Sequence, residues 1–161
     1  MTEERKVLVS FTFSKVDQKI LEFVSRTFTD REGVKITLFS SYLPLPEDSP
    51  DFSKALGSWP AAIGETILHN RIEKQLLEYE NMLKKTKERL VELGFLEESV
   101  DYLFQQISKD EAEQIIEIVQ NGGYQVVVLG FRQSKIRRIF TKNIYQRIMT
   151  ALKDVAICVI T

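Results

Sequence analysis

At 161 residues, 43% hydrophobic and 28% charged, the chain has the size and composition of one soluble domain built on one core, taken here as residues 1–161. A net charge of −1 and a pI near 6.0 argue against a dedicated nucleic-acid binder, and one cysteine with one histidine excludes an internal disulfide or a His/Cys zinc site. The longest apolar runs, VVVL and VAICVI, fall far short of the ~20 residues that span a bilayer, and MTEERK leads into no signal-like block, so a cytoplasmic protein without membrane association is expected.

In chain order, KVLVSFTF (6–13) reads as a buried strand. Ser14 with Asp17 three residues later is the capping signature of a helix, whose apolar positions Val16, Ile20, Phe23, Val24 and Phe28 follow and which stops before Gly33. VKITLFSSY (34–42) is the second strand. The stretch from 43 to 64, rich in proline, serine and glycine, reads as an irregular connection, with Trp59 as its aromatic anchor to the core.

From about Glu65, the residues Leu68, Ile72, Leu76, Tyr79, Leu83 and Leu90 recur at three- and four-residue spacing, which predicts a long amphipathic helix ending near Gly94. Its heptad flavour admits a coiled coil, but one helix lying on a sheet is the preferred reading. The only histidine, His69, lies in this helix with no nucleophile motif near it, so no serine or cysteine triad is read.

SVDYLFQQ (99–106) is the third strand, and Ser108 with Glu111 repeats the capping signature before a helix that halts at Gly122 and Gly123. YQVVVLG is a fourth strand, apolar on both faces as a covered strand must be. Asn143 with Gln146 is read as the start of the last helix, carrying Ile144, Ile148, Ala151 and Leu152, and VAICVIT is the fifth strand, with Cys158 as a buried inert thiol. Strand and helix alternate, so the predicted fold is α/β: a doubly wound, Rossmann-like domain with a five-stranded parallel sheet and helices on both faces. In such sheets ligands bind beyond the carboxyl ends of the strands where the strand order reverses.

Charge is distributed unevenly. No acidic residue lies between Glu117 and Asp154, while Arg132, Lys135, Arg137, Arg138, Lys142, Arg147 and Lys153 do. Lys135, Arg137 and Arg138, with Arg132, form a basic patch that suits a small anion or an acidic protein partner, or simply faces water. Its aromatic neighbours Phe131, Phe140 and Tyr145 do not form the pattern of a nucleic-acid stacking platform.

A chain that begins KVLVSFTFS, closes its long helix in LVELGF and ends VVVLGFRQSKIRRIF…IYQRIMTALKDVAICVI resembles the universal stress protein family over nearly its whole length. The resemblance implies a glycine motif in the nucleotide-binding branch: glycine, two residues, glycine, nine residues, then glycine with serine or threonine. An acidic residue near the end of the first strand accompanies it. Gly130 supplies the first glycine. By direct count the second falls on Gln133 and the closing pair on Asn143 and Ile144; matching Ser134 and Arg138 to the usual serine and arginine moves the pair to Lys142 and Asn143. Neither count finds another glycine, and Thr12 stands where the nucleotide binders have Asp.

Glycines in a phosphate loop let consecutive N–H groups turn inward and let the backbone approach the phosphates. Micromolar ATP binding needs about −8 kcal/mol. Each hydrogen bond to a charged group supplies about 1.5–3 kcal/mol, so losing two or three moves binding toward millimolar. Thr12, Gly130, Arg132, Gln133, Lys142 and Asn143 are accordingly the candidate nucleotide or anion site, in degenerate form.

The resemblance also implies dimerisation through the last strand, where an exposed edge invites pairing with another copy. Val155, Ile157 and Val159 are the candidate interface. The first reading is a non-catalytic stress-response protein that acts through protein interaction as a homodimer and does not depend on ATP. The alternative is an ATP- or AMP-binding switch using a modified phosphate loop. A third is an enzyme of the wider adenine-nucleotide α-hydrolase superfamily, for which no catalytic residues are found.

Overall fold

The computed structural model describes residues 3–42, 61–107, 110–131 and 138–161, with side chains for all of these except 61–69 and 138–143. The connection at 43–60 with Trp59, the cap candidate Ser108, and Arg132, Gln133, Ser134, Lys135 and Arg137 of the basic loop lie outside the described residues, as do the side chains of His69, Arg138, Lys142 and Asn143.

The elements alternate as β1 (Arg5–Ser10), α1 (Val16–Thr27), β2 (Val34–Tyr42), α2 (Ala61–Glu92), a short 3₁₀ turn (Glu97–Ser99), β3 (Val100–Gln106), α3 (Glu111–Gly122), β4 (Val126–Gly130), α4 (Arg138–Ala151) and β5 (Ala156–Ile160). The five strands form one parallel sheet in the order β3-β2-β1-β4-β5. The α/β doubly wound prediction therefore holds. The chain first moves outward from β1 to β3 and then returns to β4 and β5, so the order reverses between β1 and β4.

Side-chain alternation divides the core into two layers. Val7, Val9, Ile36, Leu38 and Val128 face α1 and α2, meeting Ile20, Val24, Leu83 and Leu90. Leu8, Phe39, Val127 and Leu129 face α3 and α4, meeting Ala112, Ile115, Val119, Ile148 and Leu152. Reversing the winding direction moves the helices to the opposite face, as crossovers of fixed hand require. Each fully buried Leu, Ile or Val contributes on the order of 1.5–3 kcal/mol, so these two layers supply most of the stability.

Several ends differ from the sequence reading, each for a local reason. Ser14 does not cap α1: Lys15 holds the cap position without a side-chain bond. Instead the Asp17 carboxylate reaches back to accept the Thr12 N–H at 3.1 Å and the Ser14 N–H at 3.3 Å, the reciprocal half of a capping box. Those two N–H groups are thus withdrawn from the sheet, and β1 ends at Ser10 instead of Phe13. The cap of α3 is Asp110, whose carboxylate accepts the Glu113 N–H at 2.8 Å. Its last turn closes as expected on Gly123 in the left-handed region, φ +65°.

The largest difference concerns α4. It begins at Arg138, so Asn143 lies within the helix and is not its cap. The sequence RIFTK before Asn143 contains neither glycine nor proline, and nothing in it stops the helix from extending toward β4.

Candidate functional site

The switch point is bordered by the carboxyl ends of β1 and β4. β1 delivers Ser10 and Thr12 there, β4 delivers Leu129 and Gly130, and the opposite wall is Glu111 and Ile115 of α3 with Ile144 and Tyr145 of α4. As bounded by the described residues this cavity measures about 30 Å³, room for a water or two, whereas small-molecule sites run to roughly 300–1,000 Å³.

Two contacts shape this end of β4. Tyr145 reaches from α4 to donate its hydroxyl to the Gly130 carbonyl at 2.6 Å, and its ring stacks on Phe131 with centroids 5.6 Å apart. Gly130 itself is held from the other side. A Cβ there would lie 3.0 Å from Ile20 Cδ1 and 3.1 Å from Val16 Cγ1, so this glycine allows α1 to pack against the end of β4. Residue 130 continues the alternation of Val128 and points to the α1 layer. The glycine is explained by helix–strand packing, with no phosphate required.

Thr12 lines the cavity but its polar atoms are engaged. Its N–H goes to Asp17, and its hydroxyl lies 2.8 Å from Ser14 Oγ and 3.3 Å from Asp17 Oδ1. Burial pushes the Asp17 carboxyl up from its ordinary value, opposed by the N–H groups of Thr12, Phe13 and Ser14 that favour the charged form. Phe13 between them sits at φ +56°, a left-handed conformation uncommon outside glycine.

Of the sequence-predicted site residues, Thr12 and Gly130 are thus brought together at the switch point. Lys142 and Asn143 lie inside α4, not at its N-terminus, so neither count of the closing glycine pair falls where a helix end could meet a phosphate. Among the described residues the switch point has one glycine, Gly130, which packs against α1 and whose carbonyl accepts from Tyr145. Tyr145 was not singled out by its sequence position. The signal was present, since a tyrosine on the apolar stripe with Ile144 and Ile148 needs a partner for its hydroxyl.

At the sheet edge, β5 pairs with β4 alone. Val159 is 39% exposed, while Val155 precedes the strand and packs with Ile157 against the α3 and α4 layer. Of the three interface candidates, Val159 is the one whose side chain is free of the core. Cys158 is partly buried against the α1 and α2 layer, and burial pushes its thiol up. Among the described residues no His/Cys/Asp/Glu cluster could hold a metal, and no helix is long and apolar enough to cross a membrane.

The chain matches no protein-family model and no curated protein. Solved structures similar to it include a universal stress protein from Lactobacillus plantarum, 10% identical, TM-score 0.64, with 99% of each chain covered. Another, from Burkholderia pseudomallei, is 13% identical with a TM-score of 0.62 over 98% of this chain and 96% of that one. A third, from Archaeoglobus fulgidus in complex with dAMP, is 12% identical with a TM-score of 0.60 over all of both chains. With its five-stranded parallel sheet in the order β3-β2-β1-β4-β5, the chain has the universal stress protein fold.

Proposed function

We propose that this chain is a non-catalytic stress-response protein of the universal stress type, working through protein contacts as a homodimer and without dependence on ATP. The observation that carries the reading is the Tyr145 hydroxyl on the Gly130 carbonyl, above a glycine already packed against Val16 and Ile20. A triphosphate seated against Gly130 would have to displace the ring and the hydrogen bond. The exposed Val159 on the β5 edge supports pairing with a second copy through that strand. The basic residues Lys135, Arg137 and Arg138 are proposed to receive the acidic partner or a small anion.

The test is mass spectrometry of small molecules released on gentle denaturation of the purified protein. The expected result is no stoichiometric adenine nucleotide. A nucleotide-binding switch is the second reading, favoured by the dAMP held in the Archaeoglobus protein of the same fold. Recovery of AMP or ATP at one per chain would decide for it.

A further inference from the structure

Ser10 and Thr12 line the switch point, while their chain neighbours Phe11 and Phe13 lie on the other side of the chain just beyond β1. There they line a second crevice, between the start of α1 and the middle of α2, which shares no residue with the first. Its volume is about 350 Å³, within the range of small-molecule sites.

The walls have a distinct chemistry. Phe11 and Leu83 are buried and form an apolar base, and Met82 is 45% exposed. Phe13 is fixed by its left-handed backbone and by Tyr79, whose ring lies 4.4 Å away at 7° to its own. One face of the Phe13 ring is covered by Tyr79 while Phe13 still borders the crevice. A held aromatic ring beside an exposed thioether suits a flat π-system, because both stack or pack on such a surface without further ordering cost.

The polar groups divide into used and unused. Asp17 accepts backbone N–H bonds from Thr12 and Ser14, and the Thr86 hydroxyl donates to the Met82 carbonyl at 2.8 Å. Lys85 is different: its ammonium makes no hydrogen bond or ion pair among the described residues. An exposed cation beside an apolar crevice pairs with an anion carried on the same ligand. Asp17 also lines the crevice, with its carboxylate engaged by the Thr12 and Ser14 N–H groups.

We infer that the crevice between α1 and α2 binds a small flat aromatic molecule bearing a carboxylate or similar anionic group. The ring packs against Phe13 and Met82 over Phe11 and Leu83, and the anion meets Lys85. This site is independent of whether a nucleotide binds at the switch point.

The experiment is a titration of the full-length ¹⁵N-labelled protein with naphthoic acid, followed by amide chemical shifts, with naphthyl methanol as the uncharged comparison. Saturable shifts are expected at Phe13, Ser14, Met82 and Lys85, with Lys85→Glu weakening naphthoate by about tenfold. Naphthyl methanol is expected to bind more weakly than naphthoate and to be insensitive to that variant. Phe13→Gly, which suits the left-handed backbone, is expected to remove binding of both while the melting curve stays cooperative. Absence of saturable shifts, shifts centred on Ser10 and Gly130, or naphthoate affinity unchanged in Lys85→Glu would each overturn the assignment.

Discussion

The two crevices at the end of β1 lie on opposite faces of the sheet, and as bounded by the described residues one is narrow and the other wider. On the α3 and α4 side, where Tyr145 reaches the Gly130 carbonyl, the cavity bounded by the described residues measures about 30 Å³. On the α1 and α2 side, Phe11, Phe13 and Leu83 line about 350 Å³. The same backbone serves both, so the difference lies in what the facing helix supplies. α4 sends a tyrosine to the end of β4, whereas α2 brings Met82 and Lys85 to the crevice beside Phe11 and Phe13.

The comparison can be broken most forcefully from the α1 side. Ile20 is fully buried against Gly130, and Ile20→Ala is expected to cost about 2–5 kcal/mol in chemical denaturation. Next, Gly130→Leu places a side chain against Ile20 and Val16, with an expected loss of about 1–3 kcal/mol. A Gly130→Leu protein as stable as the parent would show that the glycine serves something other than packing.

Smaller effects sharpen the contrast. Tyr145→Phe removes the hydroxyl from the Gly130 carbonyl and is expected to cost about 1 kcal/mol, read from the same denaturation midpoint. Asp17→Ala leaves the Thr12 and Ser14 N–H groups without their acceptor, at a similar cost of about 1 kcal/mol.

The two helix-start aspartates titrate in opposite directions. Burial raises Asp17, so its folded state holds the proton more tightly, and its charge costs stability at neutral pH. That cost fades as pH falls through the raised folded value. Asp110 is lowered, first by the Glu113 N–H and then by Arg147, which lies 3.0 Å away. Its contribution is complete above the ordinary carboxylate value and is lost as pH falls through the depressed folded one. Carboxyl-carbon NMR titration is expected to place Asp17 above and Asp110 below the ordinary range. The reverse order would contradict the burial of Asp17 and the hydrogen bonds of Asp110.

Much of the fold was legible because its signals are periodic. VVVLG is apolar at every position, and only a strand covered on both sides needs that. The α2 spacing of Leu83 and Leu90 foretold their burial, and Gly123 stops α3 as glycine does. What escaped were choices between equivalent local partners. Ser14 and Asp17 both fit a capping pattern, and the sequence does not say that the carboxylate, not the hydroxyl, does the bonding. Asn143 fits a helix start equally well, but a stretch without breakers let the helix begin at Arg138. At the switch point, Gly130 was read from the end of its apolar run and Thr12 from the family resemblance, while Tyr145 was missed because its partner is a backbone carbonyl from another element.

The proposed independence of ATP rests on Tyr145 and on the packing of α1 against Gly130 at the end of β4. Titration calorimetry of the purified protein with ATP and with AMP tests it directly. The account predicts no saturable heat at micromolar nucleotide in the parent protein. A micromolar dissociation constant that Gly130→Glu abolishes would contradict it.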